Sequence, residues 1–186
     1  MRSFDPSLLV LLILAALAAV VGGAGPVQAQ EVFKSETTGL QVVLPAEWEG
    51  TADVNEEALP GRATYRFVAT APDITDATLI VERVTGLNPL VEARFRRGQV
   101  AFGYHGFEPT ALLPEDAMVF GPAAGLAIEA GQRVGRVYFV QRGRVFWAVH
   151  VAAPPAALDA MPGLLGTLVG GVVLSDREVA SPTSES

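Results

Sequence analysis

The chain has 186 residues, with 13 Lys and Arg against 20 Asp and Glu, a formal net charge of −7 and no cysteine. An acidic balance without a basic tract argues against a nucleic-acid partner, because neutralising phosphates supplies most of that affinity, and against adhesion to anionic lipid by charge. Without thiols the chain has neither disulfide staples nor an acylation cysteine, so a packed core must hold it.

The first residues place Arg2 ahead of an apolar run from Leu8 to Val21, 14 residues long. A bilayer-spanning helix needs about 20. Gly22, Gly23, Gly25 and Pro26 loosen the run, and Val27-Gln28-Ala29 offers compact residues where signal peptidase cuts. The segment 1–29 is therefore expected to be a signal peptide cleaved after Ala29, the alternative being a retained anchor. Export follows, to the periplasm or beyond the cell, with no membrane span after removal. The remaining 157 residues suit one domain, expected over 30–175, with 176–186 as a polar disordered tail.

Along the mature chain the pattern is mostly of strands. Val32–Ser35 and Leu40–Leu44 flank a turn in which Gly39 supplies a positive φ. Pro45 stops ladder pairing, and Trp48 just beyond it is read as a plug over the open end of the core, with a cleft wall as the alternative. Acidic residues crowd the stretch from Glu31 to Glu82. Arg62–Thr70 alternates, with Ala63, Tyr65, Phe67 and Ala69 on one face. Thr78–Val84 sets Leu79, Val81 and Arg83 opposite Ile80, Glu82 and Val84. Asn88-Pro89 opens a helix whose apolar stripe is Val91, Phe95 and Phe102, stopping at Gly103 or Gly106.

A Pro-rich passage from Glu108 to Pro122 leads to a short strand, Gly125–Glu129. The strongest hairpin then pairs Arg133–Gln141 with Arg144–Ala153 about Arg142-Gly143. Its second arm, RVFWAVHVAA, is apolar on both faces, which predicts a central strand covered twice by helices. Pro154-Pro155 opens a last helix carrying Leu158, Met161, Leu165 and Leu168. Pro162-Gly163 should kink it or delay its start, Gly170-Gly171 ends it, and Val172–Leu174 returns as an edge strand.

Groups that could do chemistry are few. His105 and His150 are the only histidines, the serines lie in turns or the tail, and no G-x-S-x-G elbow is present. His150 reads as a neutral core residue, and His105 as a helix end meeting the carbonyl dipole. Two histidines without thiols do not assemble a metal site, and Glu56-Glu57 and Glu115-Asp116 diverge. No catalytic residue, metal or cofactor is expected. Arg94, Arg97, Arg142 and Arg144 could offer guanidiniums to an acidic partner or anionic ligand, and Trp48 and Tyr104 extend that candidate surface.

The stretch Gly39-Leu40-Gln41-Val42-Val43-Leu44-Pro45-Ala46-Glu47-Trp48 resembles the opening of the PsbP/Mog1-like superfamily, with exported bacterial DcrB/LpqN-type proteins nearest. The ending is similar too: a long apolar hairpin, Ala-Pro, a helix and a short last strand. The resemblance implies an α+β fold, a central antiparallel sheet flanked by helices in an α/β/α sandwich. It also implies an accessory, assembly or binding role. The expected function is thus a non-enzymatic exported module that binds a protein partner or supports an envelope assembly. The alternative is a carrier or sensor for a small apolar or anionic ligand in a cleft between sheet and helix.

Overall fold

The computed structural model describes residues 30–44, 48–59, 61–71, 74–100, 104–121 and 123–176. The expected leader over 1–29, the tail from 177 onward, and Phe102 and Gly103 of the expected helix lie outside the described residues. None of the described helices is long and apolar enough to cross a membrane.

The strands are β1 (Gln30–Lys34), β2 (Gln41–Leu44), β3 (Glu49–Leu59), β4 (Arg62–Ala71), β5 (Ile74–Thr85), β6 (Glu108–Leu112), β7 (Ala124–Ala130), β8 (Arg133–Arg142), β9 (Val145–Ala153) and β10 (Val172–Val173). Three helices accompany them: α1 (Pro89–Phe95), α2 (Pro155–Ala160) and α3 (Leu164–Gly170). Seven strands form one antiparallel sheet in the order β3-β4-β5-β9-β8-β7-β6. Two meanders, β3 to β5 and β6 to β9, are therefore joined where β9 returns beside β5. A second sheet of three strands has β2 in its centre, between β1 and β10. The class is α+β, with a central antiparallel sheet.

Every residue of β9 is buried, because it is the middle strand of the seven and is covered on both faces. Val145, Trp147, Val149 and Val151 join Tyr65, Phe67, Leu79, Val81 and Tyr138 in the larger core, closed by Leu40 just before β2, by Val42 and Leu44 of β2, and by Leu164, Leu168 and Val169 of α3. On this side the expected helical cover is shared with the three-stranded sheet. The reason lies in the turn between α3 and β10: Gly171 approaches β2 so closely that a Cβ there would stand 1.9 Å from the Val43 carbonyl oxygen. Its own carbonyl accepts from the Val43 N–H at 2.9 Å. On the other face Phe95, Val137, Phe139, Phe146 and Ile128 form a smaller cluster.

The first helix starts as its sequence dictates, with Asn88 accepting from the Val91 N–H at 3.0 Å and Pro89 in the first position. It ends far sooner than the apolar stripe suggested. Gly98, at φ +67°, lets its N–H return to the Phe95 carbonyl and the Gln99 N–H to the Arg94 carbonyl. That pair of bonds is a Schellman closure, so the helix stops before the Gly103 and Gly106 expected to end it. Pro162-Gly163 does more than kink the last helix: it divides it into α2 and α3, with Gly163 at φ +94°.

Two strands were not foreseen. β3 and β6 are the edges of the large sheet. Ala52, Asp53, Val54 and Asn55 of β3 are exposed, as is all of β6, so neither carries the apolar alternation that marks a half-buried strand. Acidic residues in β3 and Pro109 in β6 are what protected edges use. The β8–β9 turn is also one residue later than expected: Arg142 pairs with Val145, which leaves Gly143-Arg144 as the loop.

Candidate functional site

The face of the large sheet that bears the smaller cluster is only partly covered, because α1 has just seven residues. Over β7 and β8, Phe95 packs edge-on to Phe139 and Phe146. Toward β3, β4 and β5 the face opens into a cleft of about 550 Å³.

Cross-strand register builds this cleft. Asp53 on β3 lies opposite Arg66 on β4, and Arg66 lies opposite Ile80 on β5. Ile80 in turn lies opposite His150 on β9. Asn55 and Thr64 form the rung on one side of this line, and Thr78, paired with Val68 and Ala152, belongs to the rung on the other. Arg133, at the start of β8, donates from Nη2 to the Asp76 carbonyl and to Thr78 Oγ1, which draws its guanidinium across β9 onto the cleft. The loop after 103 supplies His105 and Phe107 as one wall.

Beside the cleft sits Glu82, whose side chain is 0% exposed. Its carboxylate is ion-paired with the Arg62 guanidinium, and its Oε2 lies 3.4 Å from His105 Nε2. His105 holds that place with φ +48°, a conformation uncommon outside glycine. Burial first, then the Arg62 and Arg66 guanidiniums, push its pKa below the usual histidine value. The expected helix-end role for His105 is therefore replaced: α1 has already closed at Gly98, and the imidazole faces a carboxylate instead of helix carbonyls.

His150 is 1% exposed, with Phe107 stacked edge-on at 4.5 Å and the His105 ring 5.9 Å away. Burial, followed by the neighbouring His105, Arg133 and Arg66, lowers its pKa to about 3. It is the neutral buried histidine expected from the sequence. Neither ring nitrogen has a hydrogen-bond partner among the described residues.

Arg66 differs from the other cations here. It is exposed, lines the cleft and has no hydrogen bond or ion pair among the described residues, even with Asp53 directly opposite. Arg62 is held by Glu82, and Arg133 by backbone and Thr78.

None of the six residues singled out from the sequence lines this cleft. Trp48 is 5% exposed and belongs to the larger core, as the plug reading required. The Tyr104 hydroxyl donates to the Gly98 carbonyl and its ring stacks on Phe139, so it ties the loop to the helix end. Arg94 and Arg97 are exposed near the end of α1. Arg142 donates from Nη2 to the Phe120 carbonyl at 2.9 Å. Arg144 is exposed in the β8–β9 turn, where it borders a smaller cleft of about 250 Å³ with Glu92 and Gln141. Sequence reasoning passed over Arg62, Arg66, Glu82 and Arg133. The available signal was a charge, Glu82, in the middle of a strand apolar on both faces.

The described residues hold no group of three or more His, Asp or Glu placed to bind a metal ion. What the arrangement can do chemically is offer one guanidinium without a partner among the described residues and one anchored one, beside imidazoles and hydroxyls, a donor-rich setting for an anion.

No protein-family model matches the chain, and no curated protein matches it. Among solved structures it is similar to the solution structure of the cyanobacterial PsbP (CyanoP) of Synechocystis, with 16% identity and a TM-score of 0.45, over 83% of this chain and 96% of that one. A crystal structure from Bacteroides thetaiotaomicron is similar at 12% identity and a TM-score of 0.45, over 83% of this chain and 51% of that one. The chain thus spans about half the length of that second protein. Neither neighbour speaks to the DcrB/LpqN branch.

Proposed function

We propose that this protein is an exported, non-enzymatic binding module that takes a small anionic ligand in the cleft between β3, β4, β5 and the His105–Phe107 loop. Arg66 carries the reading. An exposed guanidinium with no partner among the described residues, in a concavity of about 550 Å³, is a recognition group waiting for an acceptor. The volume lies within the range of about 300–1,000 Å³ typical of small-molecule sites. The chain as a whole carries −7, so a cleft facing guanidiniums stands out against its own surface and would select an anion by local field.

This raises the ligand-binding alternative over the envelope-partner reading. A partner surface would rest on Arg94, Arg97 and Arg144, which are exposed on a helix end and a turn. Export rests on the leader over 1–29, and the non-enzymatic reading on the lack of an aimed nucleophile.

The test is a titration of the uniformly labelled mature chain, residues 30–186, with acetate, benzoate and inorganic phosphate, followed by amide shifts in NMR. Shifts confined to β3, β4, β5, β9 and the His105–Phe107 loop are expected. Shifts only around Arg94, Arg97 and Arg144, or none with any of the three anions, would overturn the proposal.

A further inference from the structure

The charges and surfaces of this cleft narrow the kind of anion it can take; the inference that follows rests on the small-anion reading above. The Arg62–Glu82 pair cancels itself. Burial and the neighbouring guanidiniums lower the pKa of both His105 and His150, which favours their uncharged forms. Arg66 and Arg133 then stand against Asp53 alone, an excess of one positive charge over the lining. A monoanion balances that excess. A phosphate dianion overshoots it and must also lie near the Asp53 carboxylate, at a repulsive cost in a partly desolvated site.

Shape points the same way. The guanidinium fork matches a carboxylate with two parallel hydrogen bonds. Arg133 is already oriented by its bonds to Thr78 and the Asp76 carbonyl, so less side-chain entropy is lost when it engages. Ile80 on the floor and the Phe107 ring on the wall are apolar; Ile80 lies beside Arg66 on the Arg66–Ile80–His150 rung, Phe107 packs on His150, and both line the same cleft as Arg133. A bare inorganic anion would leave that apolar surface and most of the 550 Å³ to water. An acid with a ring or a branched alkyl body would cover it.

We infer that the cleft binds a small monocarboxylate with an apolar body, its carboxylate between Arg66 and Arg133 and its body against Ile80 and Phe107.

Isothermal titration calorimetry of the mature chain with benzoate, acetate, inorganic phosphate and benzyl alcohol tests this directly. Benzoate should bind at least tenfold more tightly than acetate, phosphate or the neutral alcohol. R66Q, at an exposed position where folding can be checked by circular dichroism, should weaken benzoate about 10- to 100-fold, the usual worth of a hydrogen bond to a charged group. F107S should weaken benzoate while leaving acetate unchanged. Phosphate binding as tightly as benzoate, or benzyl alcohol matching it, would overturn the ligand class while leaving the anion cleft standing. Binding by no anion would overturn both.

Discussion

The Arg62 guanidinium closes on the Glu82 carboxylate with very unequal solvent access: the arginine side chain is 35% exposed and the glutamate 0%. The pair crosses from β4 to β5, one register step from the rung that joins Thr64 to Glu82. Removing the partner of a buried charge costs about 3–5 kcal/mol when it strands that charge in the interior. R62M leaves the buried Glu82 carboxylate with only the His105 imidazole beside it, whereas E82Q leaves an arginine that can turn toward water. R62M should therefore destabilise the fold by about 2–4 kcal/mol, discounted for the partial exposure of Arg62, and E82Q by clearly less. Urea denaturation of both variants measures it; equal losses would mean that burial of Glu82 does not govern the pair.

Acid should weaken the fold through its histidines. His150 has a folded pKa of about 3, against about 6.5 when unfolded. Between those values the unfolded chain holds a proton that the folded chain does not, so stability rises with pH and is lost as pH falls from about 6.5 toward 3. His105 adds to this in the same direction. A full proton difference corresponds to about 1.4 kcal/mol per pH unit. His150→Leu should flatten the fall in unfolding free energy between pH 7 and pH 5 relative to the parent chain. Parallel curves would show that His150 is not the titrating group.

Trp48 should matter for stability and not for binding. It lies at 5% exposure in the larger core and outside the lining of the anion cleft. Trp48→Ala opens a cavity and should cost about 3–5 kcal/mol, read from the denaturation midpoint. At temperatures where the variant is folded, its benzoate affinity should equal that of the parent. A tenfold loss of affinity would place the indole at the ligand.

Gly171 should resist even alanine. Its φ of −83° suits any residue, so backbone strain is not the issue. The obstacle is the Val43 carbonyl oxygen, 1.9 Å from where the methyl would stand. Gly171→Ala should cost roughly 1–3 kcal/mol by overpacking and loosen the pairing of β10 with β2. Hydrogen exchange at the Val43 amide, which donates to the Gly171 carbonyl, should quicken. Unchanged protection there would mean that the backbone shifts without breaking the contact.

Much of the fold was legible because its signals are local. The Asn88-Pro89 start, the Gly39 turn and the break at Pro162-Gly163 each follow from one residue's backbone chemistry and appear where expected. The stop at Gly98 was missed for a reason of the same kind: a glycine inside an apolar stripe reads as tolerated until the bonds from Gly98 and Gln99 show the helix closing there. β3 and β6 were missed because an edge strand has no buried face to imprint a pattern, and its acids and proline read as loop.

The candidate site was less legible. Period-two alternation told that Glu82 shares a face with Ile80 and that Thr64 and Arg66 lie opposite the core face of β4. It could not tell that β9 would return beside β5 and bring His150 next to Ile80, nor that His105 would be folded over Glu82 by a loop 23 residues further along the chain.

By itself the sequence determined the doubly buried strand from Val145 to Ala153, since apolar side chains on both sides of a strand leave no face for water. It also determined that no disulfide or basic tract would shape the protein. Only the tertiary structure decided that Arg62 would pair with buried Glu82 and that Arg66 and Arg133 would line one cleft. Cross-strand neighbours are chosen by the path of the connections and the depth of the cover, and the charge of a group matters through its neighbours and its access to water, neither of which is written in the order of the residues.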